Sequence, residues 1–154
     1  MARITDMARI TDMARITESL SRYEALGLLK GAKIGRLVFS HQALPAVRPV
    51  NHVLLDDRVI IRAHTGAALL GPARDGAVVA YEADEFDTER RTGWSVVVTG
   101  EARLVRDPDL QQRYHDALEP WIGGDMTHTV SISLDLVTGC RITSRTTTDG
   151  RPER

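Results

Sequence analysis

The chain has 154 residues, with 20 lysines and arginines against 21 aspartates and glutamates, so it lacks the basic excess that general nucleic-acid binding requires. That length suits one domain with a core of its own. Its single cysteine, Cys140, excludes an internal disulfide, and no apolar run is long enough for a membrane span or a signal-peptide core; the expectation is a soluble cytoplasmic protein.

Residues 1–18 read MARITD, MARITD, MARITE in tandem. Met and Ile three residues apart drift around a helix and hold no single face. The repeat is therefore expected to be disordered or incidental, with the folded domain over residues 19–142 and a polar, unstructured tail over 143–154. Ser19 or Ser21 can cap a helix on which Leu20, Tyr23, Leu26 and Leu29 recur at helical spacing, ended by Gly31. GRLVFS (35–40) reads as a strand and HQALP (41–45) as a turn.

AVRPVNHVLL and RVIIRAHT, separated by Asp56-Asp57, predict a hairpin with a short turn. A two-residue turn would set Leu55 opposite Arg58, Asn51 opposite Arg62 and Arg48 opposite Thr65, gathering polar groups at the far end on both faces. Pro49 denies that strand a ladder bond, which marks an open edge or a bend. Residues 65–76 predict a short helix, stopped by Gly71-Pro72 or Asp75-Gly76, and 77–86 a further strand. In the strand 92–105, Trp94, Val96 and Val98 face one side, Ser95, Val97 and Thr99 the other, and Gly100 suggests a bulge. Asp107 and Pro108 open a helix whose Leu110, Tyr114 and Leu118 share a face. Residues 128–142 close the domain as a strand pair or one long bent strand, with Val130, Ile132, Leu134 and Leu136 alternating inward. Many strands with a few helices predict a mainly β, α+β domain: a closed antiparallel barrel with peripheral helices.

Taken in unbroken order over about residues 20–142, GRLVFS, VRPVN, IIRAHTG, VVAYEAD, RTGWSVVVTGEA and VTGCRI resemble the pyridoxamine 5'-phosphate oxidase-like family of FMN-binding split β-barrels. The likeness is strongest to its small actinobacterial and nitroimidazole-resistance-type members. The resemblance implies a homodimer with two flavin sites at the subunit interface. The hairpin 46–65 and the helix after it would hold flavin ring and phosphate, and the partner's tryptophan strand would close the site. As cofactor-binding residues it implies Arg48, Pro49, Val50, Asn51, Arg62, Thr65, Gly66, Trp94 and Ser95. The implied activity is that of an oxidoreductase using FMN, or a related flavin or deazaflavin, on a small organic substrate. Trp94 has a second reading as interface packing without a cofactor.

The sequence departs from the family at one place. Where family members commonly carry Arg-Thr/Ser, two variable residues, Gly, Thr/Ser and Lys, this chain has Arg62-Ala63, His64-Thr65, Gly66, Ala67 and Ala68. A phosphate dianion needs donors and positive charge, and three alanines supply neither. Arg48, Arg62, Thr65 and the amides near Gly66 remain. The departure opens an alternative: a split barrel that has lost FMN and serves as a cofactor-free enzyme or small-ligand binding module. No residue stands out as a catalytic acid. The five histidines lack metal-ligand spacing, although His64 can line a pocket at its strand end. EADEFDTE (82–89) reads as a solvated acidic loop, and no hydrolase, kinase or dinucleotide motif is present.

Overall fold

A computed structural model describes residues 15–64, 67–121 and 126–144. In chain order the elements are β1 (Arg15–Ser19), α1 (Arg22–Gly31), β2 (Ile34–His41), β3 (Leu44–Asn51), β4 (Val53–Leu55) and β5 (Arg58–Ala63). They continue with α2 (Leu70–Arg74), β6 (Val78–Asp87), β7 (Thr92–Leu104), α3 (Pro108–Ala117), β8 (His128–Ser133) and β9 (Leu136–Ser144). The strands join antiparallel in the order β3-β2-β6-β7-β8-β5-β4, with β9 on β7 and β1 on β9. This is the mainly β, split-barrel architecture with peripheral helices.

Ser21 caps α1 by accepting a bond from the Glu24 amide. The helix does not bury the face that the tyrosine spacing suggests. Tyr23 is 89% exposed, while Ala25 and Leu29, one turn apart, are fully buried. The small alanine lets the helix lie close on the sheet, and Tyr23 has no place on that i, i+4 stripe. The end of the third hexapeptide also belongs to the fold: Arg15 to Ser19 pair in continuous register with Ser144 to Cys140 of β9.

Two tight hairpins organise the middle of the chain. Gln42 and Ala43 at φ 51° and 61°, and Asp56 and Asp57 at φ 53° and 54°, make the left-handed two-residue turns that suit twisted strands. Leu55 faces Arg58 as the short turn predicts, and the ladder continues to Val53 opposite Ile60. It stops there. β3 pairs with β2 across the 42–43 turn, and the far end of β5 pairs with β8, Arg62 lying opposite Thr129. The expected ladder pair of Asn51 with Arg62 therefore gives way to a split, with the chain switching sheets at His52, and the expected pairing of Arg48 with Thr65 lies outside the described residues.

β7 pairs with β6 from Thr92 opposite Asp87 to Glu101 opposite Val78 without offset, so Gly100 is not a bulge. Its glycine is required on the other edge, where β7 passes from β9 to β8. There the Ser133 carbonyl sits where a Cβ on residue 100 would stand. Val96 and Val98 enter the core with Leu37, Val59, Ile61, Tyr81, Val130 and Ile132, each large side chain contributing about 1.5–3 kcal/mol by burial. Leu134 follows the inward alternation; Leu136, beyond the turn into β9, is exposed. Asp107 caps α3, whose Tyr114 packs with Leu118 on Ile60 while Leu110 stays exposed. The Tyr114 hydroxyl donates to Asp56 at 2.8 Å and fastens α3 to the β4–β5 turn.

Candidate functional site

At the split, the ends of β3 and β5 diverge around a cavity of about 330 Å³. Arg48, Pro49 and Val50 form one wall, and Ile61 to His64 the opposite one. Leu37 and Phe39 of β2 lie behind, Ala67 to Leu69 lead into α2, and Met126 comes from the segment before β8. The fold explains the apolar character. Leu37, Phe39 and Ile61 are core residues of their strands, and the cavity opens where two sheets stop sharing a ladder. Ala63, Ala67 and Ala68 add only methyl groups to this lining.

The two guanidinium groups differ. Arg48 is exposed, and its Nη1 donates to the Val47 carbonyl at 2.8 Å. Arg62 is half-buried and donates from Nε and Nη2 to the Met126 carbonyl, at 3.0 and 2.6 Å, and from Nη1 to the Leu118 carbonyl at 3.2 Å. Three of its five N–H groups thus brace the chain that leaves α3. Asn51 does related work: its Nδ2 donates to Glu119 O at 2.8 Å and its Oδ1 accepts from the Trp121 amide at 3.2 Å.

Of the residues expected to hold a cofactor, Arg48, Pro49, Val50 and Arg62 meet at the cavity. Asn51 stands beside it, buried and turned toward the α3 connection. Thr65 and Gly66 lie outside the described residues. Trp94 and Ser95 are on β7, away from the cavity of their own chain; Trp94 packs partly buried on the main core, and Ser95 Oγ lies 3.4 Å from Cys140 Sγ. Leu37, Phe39, Leu69 and Met126 were not foreseen, because an apolar side chain in a strand or a connection carries no mark of whether it faces a filled core or a cavity. His64 does line the cavity.

A second constellation lies just behind the β3 wall. His52, the single residue between β3 and β4, is 6% exposed. Its Nε2 lies 2.8 Å from the Leu29 carbonyl and its Nδ1 2.5 Å from the Tyr81 hydroxyl, which is also 2.8 Å from the Val50 carbonyl. The rings meet edge-on with centroids 4.9 Å apart. Burial lowers the His52 pKa, partly countered by the bond to Leu29, and burial raises that of Tyr81. Elsewhere, Arg36 Nη1 lies 3.4 Å from both Glu82 and Asp84. Burial, then the hydrogen bond and charge of Asp84, push Glu82 up to about 7 against the pull of Arg36. Among the described residues no three His, Cys, Asp or Glu side chains cluster as metal ligands, and no helix is long and apolar enough to cross a membrane.

Residues 21–146 match the family model described as pyridoxamine 5'-phosphate oxidase. The chain is 50% identical over 127 residues to an uncharacterized protein of Mycobacterium tuberculosis, covering 80% of this chain and 84% of that one. Among solved structures, the FAD-binding protein of Mycobacterium smegmatis superposes with a TM-score of 0.63 at 32% identity, over 82% of this chain and 98% of its own. A candidate pyridoxamine 5'-phosphate oxidase of Corynebacterium glutamicum does so with a TM-score of 0.68 at 29% identity, over 84% and 96%.

Proposed function

The chain belongs to the pyridoxamine 5'-phosphate oxidase family, and from that premise we propose that the cavity between β3 and β5 takes a flavin ring for hydride transfer to or from a small organic substrate. The observation that carries this reading is the apolar cavity at the barrel split, walled by Arg48 to Val50 and by Ile61 to His64. A bound flavin supplies the redox chemistry; the chain supplies position and surroundings. The apolar walls exclude water from the ring, and Arg48 offers positive charge at the rim. The relative from Mycobacterium smegmatis, 32% identical, is described as binding FAD, which supports a flavin without deciding between FMN and FAD.

The cavity of about 330 Å³ is at the small end of the ~300–1,000 Å³ usual for ligand sites. It accommodates a ring system and leaves the rest of a flavin nucleotide outside. A second copy of the chain, presenting the strand that carries Trp94 and Ser95, completes the enclosure in this reading. The exposed Leu44 and Val47 on β3 provide apolar surface next to the rim for such a homodimer. Its place is the cytoplasm, where Cys140 stays reduced.

The test is the visible absorbance of the purified protein, followed by titration with FMN, FAD and riboflavin. A flavin band or saturable fluorescence quenching is the expected result; neither band nor quenching with any of the three refutes the reading. Ala63, Ala67 and Ala68 favour a second one, a split barrel without flavin that binds a small uncharged ligand. Native mass spectrometry showing a non-phosphorylated, non-flavin ligand supports that alternative, and stoichiometric flavin carried through purification removes it.

A further inference from the structure

His52 occupies a position where the chain changes sheets, and two elements and the connection between α1 and β2 hold it. Its backbone N–H donates to the Lys33 carbonyl at 3.2 Å. Its Nε2 faces the Leu29 carbonyl, one of the last four of α1 and thus without a partner inside the helix. Its Nδ1 faces the phenol of Tyr81 on β6. Gly35 makes room for that phenol: a Cβ there would stand 2.6 Å from both Cζ and Oη of Tyr81. The same phenol reaches the carbonyl of Val50, a residue of the cavity wall.

We infer that His52 and Tyr81 are positioning residues for the cavity, fixing the Arg48–Val50 wall through the Val50 carbonyl. The inference rests on the flavin reading for its ligand but on the free protein for its geometry. Hydrogen-bond accounting gives the pair two states. In the neutral imidazole, Nε2 must carry the proton that faces the Leu29 carbonyl, so Nδ1 is a lone pair. Tyr81 then has one proton for two acceptors, His52 Nδ1 and Val50 O. When the imidazole takes a proton, Nδ1–H donates to the phenol oxygen and the phenol proton passes wholly to Val50 O. One proton taken up at His52 therefore strengthens the bond that holds the wall.

Tyr81 is the titratable group against the imidazole. Arg36 of β2 and Glu82 of β6 act on the phenol, and α1 and the segment at Lys33 contribute backbone carbonyls.

The experiment follows two readouts on the full chain from about pH 8 down to the acid limit of the folded state, because burial moves His52 below the ordinary imidazole range. The first is the ¹³C shift of the Val50 carbonyl with the side-chain ¹⁵N signals of His52 in the free protein. The second is the affinity for riboflavin, chosen because it lacks the phosphate that itself titrates near pH 6. Both should change with the midpoint of His52. Riboflavin should bind about two- to tenfold more tightly on the acid side, the worth of one neutral hydrogen bond. In Tyr81→Phe both dependences should vanish, and in His52→Gln, which retains a donor toward Leu29, they should vanish with the fold intact.

A Val50 signal that ignores His52 overturns the inference, as does a titrating Val50 with riboflavin affinity flat across the range. If no flavin binds at all, the reading of the cavity falls. The Val50 titration then decides alone whether the pair controls the wall.

Discussion

Arg62→Met separates a brace from a phosphate ligand. The wild-type guanidinium donates three bonds to the carbonyls of Met126 and Leu118, and methionine keeps much of the apolar stem while removing every donor. Hydrogen bonds from a charged donor contribute about 1.5–3 kcal/mol each. Two carbonyls left without this partner, in a half-buried site that water can partly reach, give a loss of roughly 3 kcal/mol at the low end of that range. For a domain of this size about 1 kcal/mol corresponds to a few degrees, so Tm should fall by on the order of 10 °C. Met126 lines the cavity, and its displacement should weaken FMN and riboflavin by similar factors. Calorimetry and fluorescence titration of both ligands provide the assay. A variant with unchanged Tm that loses FMN more than about tenfold beyond riboflavin, a difference of about 1.4 kcal/mol, would refute the brace and make Arg62 a phosphate ligand.

Ala67→Ser with Ala68→Lys should tighten FMN by roughly 10²-fold through one hydroxyl and one ammonium, with riboflavin nearly unchanged and the gain shrinking in salt; equal gains for both ligands would move the phosphate elsewhere. Gly100→Ala puts a Cβ against the Ser133 carbonyl and should cost about 1–3 kcal/mol or more, read as a lower urea midpoint; an unchanged midpoint would mean that β7 does not cross there. Glu82, held near 7 in the folded chain against an ordinary 4.5, binds a proton that the unfolded chain has released, so its contribution to stability should decline as pH rises between these values. Glu82→Gln should flatten that decline in denaturant unfolding at a series of pH values, and an unaltered slope would contradict the assignment. His52 acts in the opposite sense: its lowered pKa makes the unfolded chain the better proton acceptor below about 6.5, so stability should fall on acidification there and do so less in His52→Gln.

The sequence showed what local chemistry determines. Asp56-Asp57 between two β-rich runs announces a tight turn, Asp107-Pro108 a helix start, and the alternation around Val96 and Val98 a strand with one buried face. It did not show which strand becomes the second neighbour of another. β3 can extend the ladder with β5 or close on β2 across Gln42-Ala43, a turn whose positive φ at both residues their side chains do not favour. Contacts distant in sequence separate them, among them those of the His52 ring with Leu29 and Tyr81. The site was legible on its β3 and β5 walls, because Arg48 to Val50 and Arg62 lie within recognisable motifs. Leu37 and Phe39 were not, since they look like any inward strand residue. Tyr23 misled for a related reason: helical spacing marks a stripe but does not say which stripe meets the sheet.

The polar residues around the cavity divide by what they already hold. Asn51 spends its amide on Glu119 and Trp121, and Arg62 spends three N–H groups on Leu118 and Met126. Both therefore shape the cavity by fixing the connection after α3, and neither needs to touch a ligand to matter for one. Arg48, exposed at the rim, is the cation whose guanidinium can follow an anion outside the apolar walls. A site so divided draws its affinity chiefly from burying a ring and little from charge, since an ion pair at an exposed rim contributes only about 0–1 kcal/mol. Alanines at 63, 67 and 68 are consistent with that division, since they add only methyl groups to the lining. Such a site discriminates by shape before charge, and the wall that sets the shape is the one His52 and Tyr81 hold.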